Sequence, residues 1–161
     1  MQTYDGYRAI MQEQSRDVHN AAIATKIVQL MDRLRDNSYE GQARRWIWEL
    51  IQNAKDAAAD GVPVKIQVEL WEDKVTFSHN GKPFRVKNIL SIINQVSSKS
   101  GSDDTSTGKF GTGFITTHLL SEQVWLQGIL QDVSLVNGGM LPAKSFSILL
   151  DRSGSNTEEI I

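Results

Sequence analysis

Apolar side chains recur at helical spacing in two early stretches of the chain. Ile23, Ile27, Leu30, Met31 and Leu34 fall on one face and predict an amphipathic helix over 18–36, ending near Asp36-Asn37-Ser38. Ile47, Leu50, Ile51, Ala54 and Ala58 predict a second over 41–59, stopped by Asp60-Gly61-Val62-Pro63. The period then changes to two. Val64, Ile66, Val68 and Leu70 alternate with Lys65, Gln67 and Glu69, as in a half-buried strand, and Glu72-Asp73 turns the chain back into Val75-Thr76-Phe77-Ser78. Val86, Ile89, Leu90 and Ile93 suggest a short helix. Over 97–107, SSKSGSDDTST offers nothing more apolar than a threonine methyl, so this segment cannot anchor in a core and is expected to be a mobile loop. After GKFGTGF come an apolar helix around 115–120 and strands near 124–130, 133–136 and 145–150. Interleaved helices and strands predict an α+β sandwich.

Composition narrows the class without changing that picture. The chain has 161 residues, 40% of them apolar, with 17 basic and 19 acidic side chains for a formal charge of −2. These values suit an ordinary globular chain, long enough to form one domain with one core. It has no cysteine, which excludes a disulfide framework, a thiolate zinc site and a thiol nucleophile, and fits a reducing compartment. Cytoplasmic location is therefore expected. No stretch approaches the ~20 apolar residues of a membrane span. Asp5, Glu13 and Asp17 stand where a signal peptide needs a basic and then an apolar run, so no membrane partner is expected. Near-neutral charge gives no footprint for dedicated nucleic-acid binding. Near the end, Asn156 followed three residues later by Glu159 has the spacing of a helix start, yet the sequence stops at Ile161. The expectation is an N-terminal domain, residues 1–161, of a longer polypeptide.

Three segments carry candidate chemistry. On the second helix Glu49, Asn53, Asp56 and Asp60 are spaced by 4, 3 and 4, which puts them on one face opposite the apolar one. Such a stripe is either a solvated polar face or, with no Lys or Arg within it, a set of oxygens for a hydrated divalent cation and a polarised water. Gly108-Lys109-Phe110-Gly111-Thr112-Gly113-Phe114 puts three glycines before an apolar helix. That arrangement is either a turn chosen for its dihedral angles or a close backbone approach to phosphate oxygens. Neither GxxxxGK[ST] nor the dinucleotide fingerprint is present. Finally, His79-Asn80-Gly81 at the end of the hairpin pairs hydrogen-bonding side chains with a glycine, as a turn does and as a site for a flat ring would.

In order and spacing, the motif E-x-x-x-N-x-x-D-A (Glu49, Asn53, Asp56, Ala57), the strand-end His79-Asn80-Gly81, the polar loop and GKFGTGF resemble the GHKL ATPases. This family includes gyrase, the heat-shock chaperone, histidine kinases and mismatch-repair ATPases, which share the Bergerat fold. The likeness covers about 40–125 and is nearest to the heat-shock chaperone and sacsin-like branch, where a Lys-Ser-Gly like Lys99-Ser100-Gly101 precedes the glycines. The resemblance implies a two-layer α/β sandwich, with a mixed, mainly antiparallel sheet covered by helices on one face. It also implies magnesium-dependent ATP binding and slow ATP hydrolysis. Asn53 would ligate Mg2+, Glu49 would polarise the attacking water, Asp56 would make water-mediated base contacts or hold the helix, and Ala57 would lie in the nucleotide site. Lys99, Ser100, Gly108, Lys109, Phe110, Gly111, Thr112, Gly113 and Phe114 would surround the phosphates, with 97–107 as a lid. Two departures stand out: His79 replaces the Asp whose carboxylate accepts the adenine amino group, and Pro83 replaces a second glycine. A neutral imidazole, Asn80 or a water would have to accept that bond, which leaves ATP against GTP open. The implied partners are the C-terminal remainder of the polypeptide and a second copy. A nucleotide-gated interaction or dimerisation module with little hydrolysis is the alternative. Histidine-kinase chemistry is disfavoured, because His19 lacks the flanking residues of a phosphoacceptor helix.

Overall fold

The structure is a computed structural model and describes residues 2–36, 44–94 and 113–160. Its elements in chain order are helix α1 (Gln2–Asp36), helix α2 (Arg45–Asp56), strands β1 (Ile66–Leu70) and β2 (Val75–His79), and helix α3 (Val86–Asn94). A 3-10 turn (Phe114–Leu119), strands β3 (Gln123–Leu130) and β4 (Lys144–Asp151), and the short helix α4 (Thr157–Ile160) follow.

Helix α1 begins far earlier than the apolar stripe, which marks only its packed half. Ile27 and Met31 are buried against Ile115, with Ile23, Leu30 and Leu34 around them. Residues 7–22 are exposed throughout. Their Gln, Arg, Glu, Met and Ala content favours helix without burial, so propensity carries a half that periodicity does not mark. Helix α2 buries Ala54 and leaves Glu49, Asn53 and Asp56 half-buried. It ends three residues before the predicted stop. On α3 the inward residues are Ser91 and Ile92, while Val86 and Leu90 are each about half exposed.

Among the described residues the strands form two separate antiparallel pairs, β1 with β2 and β3 with β4. This is a mixed α/β chain with small antiparallel sheets. Sequence alternation is realised in β3, where Val124 and Leu126 face inward and Trp125 outward. Together with Leu50 and Ile93, Val124 and Leu126 pack on a core of Ile92, Phe114 and Leu150, so helices and the 3-10 turn cover this face of the second sheet. β1 departs from its predicted half-burial. It is exposed along its length, Leu70 at 82%, because no described helix lies on it. The strand predicted over 133–136 is absent as well. Val133 makes one bridge to Met140, and the chain then turns through Gly138 (φ 68°), whose N–H donates to the Ser134 carbonyl at 2.9 Å.

Phe84 joins the two halves. Its N–H donates to the Ile129 carbonyl at 2.7 Å, its carbonyl accepts from Gln131 N–H at 2.9 Å, and its ring meets Phe146 edge-on at 5.5 Å. The hairpin exit is thereby tied to the edge of β3. At the far end, the Asn156 side chain accepts from the N–H groups of Glu158 and Glu159 at 3.0 and 3.1 Å, and Glu159 reaches back to Ser155 N–H at 2.7 Å. The predicted cap is formed.

Candidate functional site

Helix α2 is the axis of the site. Its amphipathic sequence buries Ala54 and packs Leu50 on the Ile92-Phe114-Leu150 core, leaving Glu49, Asn53 and Asp56 half-buried. Gly113, the residue that opens the 3-10 turn, packs directly on the Glu49 carboxylate. A methyl group at Gly113 would overlap that carboxylate, so only glycine admits this approach. Two segments distant in sequence are therefore in contact at the atom proposed to act on water. The turn itself is 3-10 and not the expected α-helix. Thr116 and Thr117 hydroxyls donate to the carbonyls of Gly113 and Phe114, each at 2.7 Å, and hold the i to i−3 geometry. Phe114 is buried in the core and forms no part of an open surface.

At the other end of α2 the hairpin exit docks on Ala57. Lys82 N–H donates to the Ala57 carbonyl at 2.7 Å, and a methyl group at Gly81 would lie 2.8 Å from the Ala57 side chain. Ala57 lies eight residues beyond Glu49, about 12 Å along a helix at 1.5 Å per residue.

The hydrogen bonds at this end alter two expectations. Asn80 is a brace. Its side-chain oxygen accepts from Lys65 N–H at 2.7 Å and its amide donates to the Pro63 carbonyl at 3.0 Å, which fixes the side chain against the start of the hairpin. His79 Nδ1 accepts from Gly81 N–H at 3.0 Å. Half-burial of the ring lowers its pKa, which favours the neutral form with the proton on Nε2. Nε2 is then a donor, the reverse of the acceptor that an Asp would supply.

Two carboxylates of the stripe have cationic neighbours. Arg45, one turn before Glu49, places Nε 3.5 Å from its carboxylate, and Lys82 lies 3.5 Å from Asp60. Arg45 belongs to the site and was missed, although the i, i+4 spacing was readable in the sequence. The polar loop and Lys99, Ser100, Gly108, Lys109, Phe110, Gly111 and Thr112 lie outside the described residues. Among the described residues no three His, Asp or Glu side chains gather as a metal cage. No described helix is long and apolar enough to cross a membrane.

No protein-family model matches the chain, and neither a curated protein nor a solved structure matches it.

Proposed function

We propose that this chain is a magnesium-dependent ATP-binding domain of the GHKL type, a two-layer Bergerat sandwich whose slow ATP hydrolysis drives conformational change in a larger, chaperone-like protein. One observation carries the proposal: Glu49 and Ala57, at the two ends of a single helical face, each pack on a glycine from a different candidate motif, Gly113 and Gly81. In this scheme the base lies toward Ala57 and His79, with Asp56 in water-mediated contact, and the phosphates lie toward Gly113. The Asn53 oxygen ligates the magnesium that accompanies the nucleotide, a cation that neutralises phosphate charge. Glu49 orients and polarises the attacking water, the positioning that phosphoryl transfer mainly requires.

Titration calorimetry tests this directly. ATP with magnesium is expected to bind and ATP with a chelator to bind much more weakly, and Asn53→Ala is expected to abolish the magnesium-dependent part. Affinity independent of metal and unchanged in Asn53→Ala rejects the assignment.

The Arg45–Glu49 pair favours a variant of the scheme, a nucleotide-gated interaction module with little hydrolysis. The Arg45 guanidinium competes with water for the oxygens of the Glu49 carboxylate. Single-turnover hydrolysis by the full-length protein separates the two. Arg45→Ala raises turnover if the pair restrains Glu49.

A further inference from the structure

A cavity lies away from α2, between the middle of α1, the end of α3 and the residue that follows β4. Its volume is about 330 Å3. Ile23, Ile27 and Ile93 give it an aliphatic wall, while Asn20, Asn94 and Arg152 supply its polar groups. Arg152 is 5% exposed. Its Nη2 donates to the Ile93 carbonyl at 2.7 Å, where the end of α3 carries partial negative charge, but its buried Nε has no hydrogen-bond partner.

No described carboxylate pairs with this guanidinium. Those nearest in sequence are engaged elsewhere. Asp151 accepts from Ser153 N–H at 2.9 Å, Ser153 Oγ at 2.6 Å and Gln123 Nε2 at 2.8 Å, and Glu122 pairs with Arg35 at 2.7 Å. The Asp151 charge acts on the guanidinium only from beyond ion-pair contact, so burial is incompletely compensated, and a negative ligand in the adjoining cavity offsets that cost. The guanidinium fork suits a carboxylate, and two neutral amides beside it add donors without adding charge. A single positive charge balances a monoanion, whereas a phosphate dianion would leave excess negative charge against three isoleucines. The volume lies at the small end of ligand pockets.

We propose that this cavity binds a small aliphatic monocarboxylate, the carboxylate paired with Arg152 and the hydrocarbon chain laid on Ile23, Ile27 and Ile93. The cavity shares no residue with the proposed nucleotide site, so either proposal can fail alone.

The test uses hexanoate as probe against the whole chain, with hexan-1-ol, hexylamine, acetate and inorganic phosphate as comparators, read by calorimetry and by isoleucine methyl NMR. Hexanoate is expected to bind at least ten-fold more tightly than each comparator, with the largest shifts at Ile23, Ile27 and Ile93, and to lose at least ten-fold in Arg152→Gln. The comparators need no variant, so the outcome stands even if Arg152→Gln fails to fold. Hexanol or hexylamine binding as tightly as hexanoate, no binding at millimolar hexanoate, or shifts confined to other residues overturns the proposal.

Discussion

At Gly113 the lack of a side chain is what allows Glu49 to rest where it does. Gly113→Ala would push against the end of a flexible side chain, so Glu49 is expected to move at little cost in stability. Single-turnover hydrolysis should then fall toward the level of Glu49→Ala, and the double variant should lose no more than Glu49→Ala alone, as coupled neighbours do. Full turnover in Gly113→Ala would remove Glu49 from the chemistry. His79 sets the second residue-scale expectation. With Nδ1 engaged by Gly81, Nε2 is left a donor, and at the proposed base site His79→Asp would supply an acceptor instead. Competition titration should show ATP gaining on GTP by roughly ten-fold, the size of one hydrogen bond to a charged group. An unchanged ratio would place the base elsewhere. The face bearing Glu49, Asn53 and Asp56 was legible in the sequence because helical spacing alone aligns them. The engagement of His79 and Asn80 was not, because it depends on which N–H groups the loop folds back toward them.

Among the elements, the 3-10 turn after Gly113 contains a stored pH response. His118 is buried, its Nδ1 bonds the Ser121 carbonyl at 3.2 Å as donor, and its Nε2 has no partner. Burial, with the Arg152 charge adding to it, pushes its pKa down to about 4. The folded chain therefore keeps His118 neutral where the unfolded chain takes up a proton near pH 6.5. Below pH 6.5 the unfolded state binds more protons, so stability declines down to about pH 4, by on the order of 3 kcal/mol in total. His79, also lowered by burial, acts in the same direction. Denaturant titrations between pH 7 and 4 should show this slope, and His118→Leu should flatten most of it; an equal slope in both proteins would contradict the assignment. Elements with a strong period were legible: the packed half of α1, α2, the first hairpin and β3. The supposed strand over 133–136 was not, since Val133, Leu135 and Val136 have the composition of a strand while Asn137-Gly138 closes a turn that fixes their backbone.

For the molecule as a whole, the packed region and the outer half of α1 are unequal in their contribution to stability. Two clusters, Ile27-Met31-Ile115 and Ile92-Phe114-Leu150, unite α1, α3, the 3-10 turn and β4, and Phe84 ties the hairpin exit to the second sheet. Residues 7–22 add no buried side chain, and Tyr7, Met11 and Val18 are about two-thirds exposed or more. Sequence periodicity located this boundary correctly as the start of the apolar stripe, though not as the start of the helix. Deleting residues 1–17 is therefore expected to cost less than about 1 kcal/mol, a shift in Tm of under ~4 °C for a domain of this size. Met31→Ala removes a side chain 2% exposed in the first cluster and should cost about 2–5 kcal/mol, a larger drop in Tm than deleting all seventeen residues. Calorimetry of the two variants beside the parent chain decides the matter. If the deletion proves the more damaging, the outer half of α1 is packed in solution against something else, and a sedimentation measurement on the parent chain would show whether that is a second copy.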